Sequence, residues 1–250
     1  MRLCMKRIVI MALCLLSSAM AAAEVKVAVA ANFAAPMKDI AAAFEAQTGH
    51  KVALTPGATG KFYAQITNGA PFDLFVSGDD ETPARLEKVG KTVPGTRFTY
   101  AIGRLVLWSP KESVVAEGGE VLKSGNFRFL SIANPKVAPY GIAAMQTMQK
   151  MGVLTKIEPK LVQGENIAQA HQFVVTGNAE LGFVALSQVW QNGKLTSGSG
   201  WVVPETFHEP LRQDAVLLDT GSRSEGARAL LNFMKSDKAK EIMTAYGYKH

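Results

Sequence analysis

Beyond residue 23 the sequence contains no cysteine, because both, Cys4 and Cys14, lie in the opening stretch. That removes disulfides, thiol nucleophiles and thiolate metal sites from the chemistry of the remaining chain. The four histidines, at 50, 171, 208 and 250, are scattered without ligand spacing. No Ser-His-Asp, His-Glu or paired-carboxylate arrangement can be assembled from neighbouring positions. Asp79 and Asp80 are adjacent, but no His, Cys or further pairing partner stands close by, and they read as a solvated turn. Neither a GxGxxG nor a P-loop pattern occurs. No apolar run is long enough to span a bilayer.

A strong excess of one charge is also missing. The full sequence has 27 Lys and Arg against 21 Asp and Glu. Three of the basic residues, Arg2, Lys6 and Arg7, precede an apolar run from Ile8 to Leu16, and Ala21-Ala22-Ala23 follows. This is the pattern of a cleaved signal peptide over 1–23, with the exported chain beginning near Glu24. A lipid anchor needs a small residue before its cysteine, and Leu13 before Cys14 does not fit. Export leaves 24 basic against 21 acidic residues, with no basic stripe interleaved with aromatics, so no nucleic-acid partner is expected. The remaining 227 residues can bury a large core, as one sizeable domain or two lobes.

What the chain does have is a repeated strand-turn-helix unit. Val25, Val27 and Val29 alternate on small alanines, as in a buried strand, and the pattern breaks at Ala31-Asn32-Phe33. Met37, Ile40, Ala41 and Phe44 then share one face of a helix that Gly49 can end. A second unit runs through Lys51–Leu54 and Gly57-Ala58-Thr59-Gly60 into a helix from Lys61, with Thr59 where an N-cap belongs. Phe72–Val76 predicts a third strand. Arg97–Trp108 is long enough to leave one lobe and enter another. Phe129–Ala133, then a helix from Pro139-Tyr140-Gly141 with Ile142, Met145 and Met148 inward, resume the alternation. Leu161–Gly164 leads into a helix opened by Glu165-Asn166-Ile167, and His171 within it reads as structural. Leu181–Leu186 is a strand, Trp190–Gly200 a Gly/Ser-rich loop, Asp214–Leu218 a strand, and Ser222–Tyr246 two amphipathic helices. Alternation of this kind implies an α/β fold of parallel sheets flanked by helices, and two sets of units imply two lobes.

The recurring chemical feature is the helix start carrying neutral hydrogen-bonding groups: Asn32, Thr59, Tyr140 and the backbone at Ile167. Such starts aim unpaired N–H groups and the positive end of the helix dipole outward, which suits an anion. Taken alone, Thr59 reads as a plain cap, and Tyr140 also reads as a partly buried aromatic whose hydroxyl meets water.

The segments VAVAANFAAPMKDIAAAFEAQTGHKV, GATGKFYAQITNGAPFDLFVSGDD, ANPKVAPYGIAAMQTMQKMG and KSDKAKEIMTAYGY together resemble the periplasmic molybdate-binding proteins of molybdate ABC importers, over nearly the whole chain after the signal. The resemblance implies a two-lobed type II periplasmic binding protein, parallel-rich sheets with a hinge between lobes, closing over a tetrahedral oxyanion. It places lobe 1 at 24–102 and 211–250 and lobe 2 at 103–210. It implies molybdate or tungstate as ligand, held by Asn32, Thr59, Tyr140 and Ile167, with Ala31 as a weaker addition. Molybdenum enters only as the oxyanion, with no protein-metal bond and no cofactor. The implied partner is the membrane permease of the importer, and the protein is a monomer. Many members have a ligand-binding tyrosine at the position of Ala185, which has no hydroxyl, and Tyr140 stands where others have alanine. Sulfate would fit the same donors loosely. An enzyme on the same fold, such as a porphobilinogen-polymerising deaminase, needs a cofactor-bearing cysteine, and a ferric-iron binder needs clustered tyrosines; neither is present.

Overall fold

The structure is a computed structural model that describes residues 24–250, so the expected signal peptide over 1–23 lies outside the described residues. In chain order its elements begin with β1 (Val25–Ala30), α1 (Ala34–Thr48), β2 (Val52–Gly57), α2 (Thr59–Thr67), β3 (Leu74–Val76), α3 (Glu81–Lys88) and β4 (Phe98–Gly103). There follow β5 (Leu105–Ser109), α4 (Glu120–Ser124), β6 (Leu130–Ala133), α5 (Pro139–Lys150), α6 (Leu154–Ile157), β7 (Leu161–Gly164), α7 (Ile167–Val175) and β8 (Leu181–Ala185). The last are β9 (Trp190–Gln191), β10 (Lys194–Leu195), β11 (Ser199–Val202), β12 (Leu211–Leu217), α8 (Glu225–Phe233) and α9 (Asp237–Ala245).

Ten of these strands form two five-stranded sheets, ordered β2-β1-β3-β12-β4 and β11-β5-β8-β6-β7, and β9 and β10 pair separately. Each is mixed: β1, β2 and β3 are parallel, as are β6, β7 and β8, while β12 and β4 in one sheet and β5 and β11 in the other run antiparallel to their neighbours. The parallel pairing expected from βα alternation holds for three strands of each sheet, which makes both sheets parallel-rich. β5 and β12 instead enter their sheets directly from the other one, after β4 and β11, and run against the parallel strands beside them.

Apolar faces at helical spacing hold each sheet to its helices. Met37, Ile40 and Phe44 of α1 are fully buried with Val25, Val27, Val29, Leu74 and Leu217. In the other half Leu105, Leu107, Leu130, Ile132, Leu181 and Phe183 pack with Ala144 and Met148 of α5. Gly49 ends α1 at φ +75°, a left-handed cap that glycine adopts without steric cost. The long stretch expected as a single crossing strand is split at Arg104 into β4 and β5, one in each sheet. The chain crosses back between β11 and β12, where Arg212 stands opposite Ile102.

Several sequence expectations need correction. Ile142 is 47% exposed, and the inner face of α5 is Tyr140, Ala143, Ala144, Thr147 and Met148. The Gly/Ser-rich loop contains a hairpin, β9–β10, turned by Asn192 and Gly193 at φ +48° and +88°. Asn-Gly matches the handedness that a two-residue hairpin turn needs. Asp79 is no solvated turn residue. Its carboxylate accepts from the N–H and hydroxyl of Thr82 at 2.8 and 3.1 Å, and burial pushes its pKa up.

Candidate functional site

Four helix starts converge between the sheets. Ala31, Asn32, Thr59, Tyr140 and Ile167 all line one small, tightly closed cavity, completed by Ala30, Gly57, Ala58, Ala138, Pro139 and Asn166. None of these lining residues is charged, so no cation or carboxylate belongs to the wall. Ala31 and Asn32 lie in a short 3-10 turn (Ala31–Phe33) that leads from β1 into α1. Thr59 and Ile167 are the first residues of α2 and α7, and Tyr140 is the second of α5. At such positions the backbone N–H has no carbonyl within its own helix. Among the described residues the N–H groups of Ala31, Asn32, Thr59, Tyr140 and Ile167 meet no other acceptor.

Thr59 is not the cap of α2. Ala58, in an extended conformation, precedes the helix, and the Thr59 hydroxyl oxygen instead accepts the N–H of Gly78 at 3.1 Å. Tyr140 is 1% exposed rather than partly buried, and its phenol oxygen accepts Nε2–H of Gln213 at 3.1 Å. Each of the two hydroxyls at the cavity thus already accepts a protein N–H, which leaves its one hydrogen to donate. Burial holds the Tyr140 phenol well above its usual pKa, so that hydrogen stays on the oxygen at neutral pH.

The Asn32 amide behaves differently from the sequence expectation. Its Nδ2 donates to Gln213 Oε1 at 2.9 Å and to the Tyr248 hydroxyl at 3.0 Å, so both hydrogens are engaged behind the cavity. What Asn32 offers the cavity is its backbone N–H. Behind it lies a buried polar cluster the sequence did not suggest: Tyr100, Ser187, Gln213 and Tyr248. Tyr248 donates to Asn32 O at 2.9 Å, and Ser187 Oγ donates to the same carbonyl at 2.8 Å. Burial pushes the Tyr248 phenol up to about 12, so it too stays protonated.

The cavity is roofed by contacts between the halves. The N–H of Gly60, in the first turn of α2, donates to Val137 O at 3.0 Å, and Lys61 pairs with Glu165. Among the described residues no group of three or more His, Cys, Asp or Glu could hold a metal ion.

A family model of bacterial extracellular solute-binding proteins matches residues 25–249. The chain belongs to that family. It is 61% identical over 234 residues to molybdate-binding protein ModA of Azotobacter vinelandii, covering 94% of this chain and 93% of that protein. It is 51% identical over 228 residues to molybdate-binding protein ModA of Rhodobacter capsulatus, covering 91% and 89%. Among solved structures, an Azotobacter vinelandii periplasmic molybdate-binding protein superposes with a TM-score of 0.88 at 41% identity, covering 90% of this chain and 99% of that one. As an extracellular solute-binding protein the chain is a transport component and not an enzyme, and its two mixed α/β sheets flanked by helices match that architecture.

In this solute-binding protein Ala185 ends β8, fully buried, and its N–H donates to Gln188 Oε1 at 2.9 Å. Gln188 Nε2 in turn donates to Ile167 O at 3.1 Å, so the segment after β8 braces the start of α7 rather than supplying a side-chain donor. Asn166 caps the same helix, accepting from the N–H groups of Ala168 and Gln169 at 2.9 and 3.0 Å, which leaves the Ile167 N–H to the cavity. Asn166→Ala should cost about 1 kcal/mol of folding stability, measured by urea denaturation, by removing that cap.

Proposed function

We propose that this protein captures molybdate, with tungstate as a near-isosteric second ligand, between its two sheets and delivers it to the membrane permease of an ABC importer. The carrying observation is the donor set. Two hydroxyls that each already accept an N–H, and the unpaired N–H groups of Ala31, Asn32, Thr59, Tyr140 and Ile167, face one uncharged cavity. Preorganised neutral donors suit a fully deprotonated tetrahedral dianion, and aligned dipoles in a site without water need no cation. Hydrogen phosphate carries a proton that would meet no acceptor. Sulfate matches the charge but is smaller, so cavity size would set the preference against it. The relatives named as molybdate-binding proteins support this reading through their identity along nearly the whole chain.

The domain division that goes with it is lobe 1 at 24–102 and 211–250 and lobe 2 at 103–210, joined by the crossings at Arg104 and between β11 and β12. Segment 1–23 serves as a cleaved signal that delivers a monomer to the periplasm. Closure about the crossings near Ile102 and Arg212 should shrink the radius of gyration in small-angle scattering when molybdate is added. An unchanged radius at saturation would count against a closing cleft.

Thermal denaturation with a panel of oxyanions tests the assignment. A ligand that binds only the folded state stabilises it by about 2.7 kcal/mol at a concentration of 100 Kd. Molybdate and tungstate should raise the melting temperature well beyond sulfate, and hydrogen phosphate not at all. No shift with molybdate would reject the function.

A further inference from the structure

Gln213 is the side chain that joins Asn32 and Tyr100, behind the cavity, to Tyr140 in its wall. It is fully buried on β12, beside the irregularity between Gln213 and Asp214 where the pairing with β4 shifts register. Its Oε1 accepts from Asn32 Nδ2 at 2.9 Å and from the Tyr100 hydroxyl at 2.8 Å, and its Nε2 donates to Tyr140 Oη at 3.1 Å. Tyr100 has one hydrogen and a second acceptor, Ser77 O, also at 2.8 Å, so the Asn32 amide is what secures Gln213 Oε1. Asn32 is held in turn from its other hydrogen by Tyr248. The cluster therefore turns the Gln213 amide so that nitrogen, not oxygen, meets Tyr140.

From this geometry we infer that Gln213 is a positioning residue for ligand selection: by occupying the acceptor side of the Tyr140 phenol it leaves that hydroxyl only a donor's part. The inference rests on the oxyanion reading above and adds the group that polarises the site. A phenol beside an amide oxygen would give its hydrogen to that oxygen and turn only lone pairs to an anion. A phenol beside an amide N–H accepts there and can donate only elsewhere, to an anion in the cavity or, without one, to the neighbouring Tyr248 hydroxyl. Because Tyr140 belongs to the half built on β5–β8 and Gln213 to the half built on β12, the bond forms only when the two halves are apposed. Closure and readiness to donate are thus one event. Gly103 makes the approach possible, since a Cβ there would stand 2.2 Å from Tyr140 Oη and 2.4 Å from Gln213 Nε2.

A double-mutant cycle on the full exported chain, read by calorimetric titration with molybdate, tests this. Tyr140→Phe and Gln213→Met should each weaken binding about tenfold, the scale of one lost hydrogen bond to a charged group. The double variant should be no weaker than Tyr140→Phe within about twofold, because Gln213 has nothing left to orient. Independent, multiplying losses would show Gln213 acting on the fold alone and would overturn the inference. So would parent-like binding by Tyr140→Phe, the result expected if the phenol donates to Gln213. Gln213→Glu is the second variant. It keeps an oxygen for Asn32 and Tyr100 but replaces the Nε2 donor with an acceptor, so it should bind at least as weakly as Gln213→Met. Parent-like affinity there would also overturn the inference. Failure of the parent protein to bind molybdate would reject the oxyanion reading itself, a separate outcome.

Discussion

Thr59→Asp should weaken molybdate binding about a thousand-fold at pH 7. No lysine, arginine or histidine lines the cavity, so nothing there offsets a carboxylate placed against a dianion. At about 4 Å and an effective dielectric constant of about 20, the repulsion between one and two charges is about 8 kcal/mol. The variant has an easier route, which is to protonate the new carboxyl on binding. From a pKa near about 3.9 that costs about 4 kcal/mol at pH 7, so protonation limits the loss. The consequence is a pH dependence with a definite sign: each unit of acidification between about pH 8 and 6 should restore about tenfold in affinity. Thr59→Ser keeps the hydroxyl and should bind within a few-fold of the parent. Calorimetry across that range is the check, and a small or pH-independent loss would mean that Thr59 does not face the anion.

Gly103→Ala should damage stability and binding together. The 2.2 Å and 2.4 Å approaches to Tyr140 Oη and Gln213 Nε2 are shorter than real Cβ contacts, and Gly103 is fixed in the ladder opposite Leu211. Either β4 shifts at the crossing or the Tyr140 ring retreats. Overpacking of this kind costs about 1–3 kcal/mol of stability, and withdrawal of the hydroxyl about 1–3 kcal/mol of affinity. Adding Tyr140→Phe removes the nearer clashing atom, so it should recover part of the lost melting temperature without recovering affinity. A Gly103→Ala protein with the parent's melting temperature and affinity would show that the close approach is absent in solution.

The parts of this protein that could be read in the sequence are those encoded by local spacing. Valines alternating at 25, 27 and 29, the face of Met37, Ile40 and Phe44, and the cap at Gly49 each depend on neighbours within one or two turns, and each stands as expected. The five cavity residues could be found for a related reason: a residue that opens a helix after a strand is marked by its immediate context. The supporting cluster could not. Asn32 meets Gln213 across 181 positions and Tyr248 across 216, and nothing local distinguishes a buried glutamine on β12 from a solvated one. The same limit explains Asn32 itself. Its residue type suggested an amide donor, whereas tertiary partners draw both amide hydrogens away from the cavity. The β9–β10 hairpin is different, because Asn192-Gly193 is a local signal that composition alone obscured. Ile142 shows the reverse error: an apolar residue counted as inward lies on the exposed side of α5.

A crystal structure of the exported chain with molybdate tests most directly whether neutral donors alone hold the anion. The expected result is a tetrahedral oxyanion among Asn32, Thr59, Tyr140 and Ile167. Its oxygens should lie about 2.7–3.1 Å from their backbone N–H groups and from the Thr59 and Tyr140 hydroxyls, with no lysine or arginine in contact. An anion bound elsewhere, or one contacted by a cationic side chain in this cavity, would contradict it.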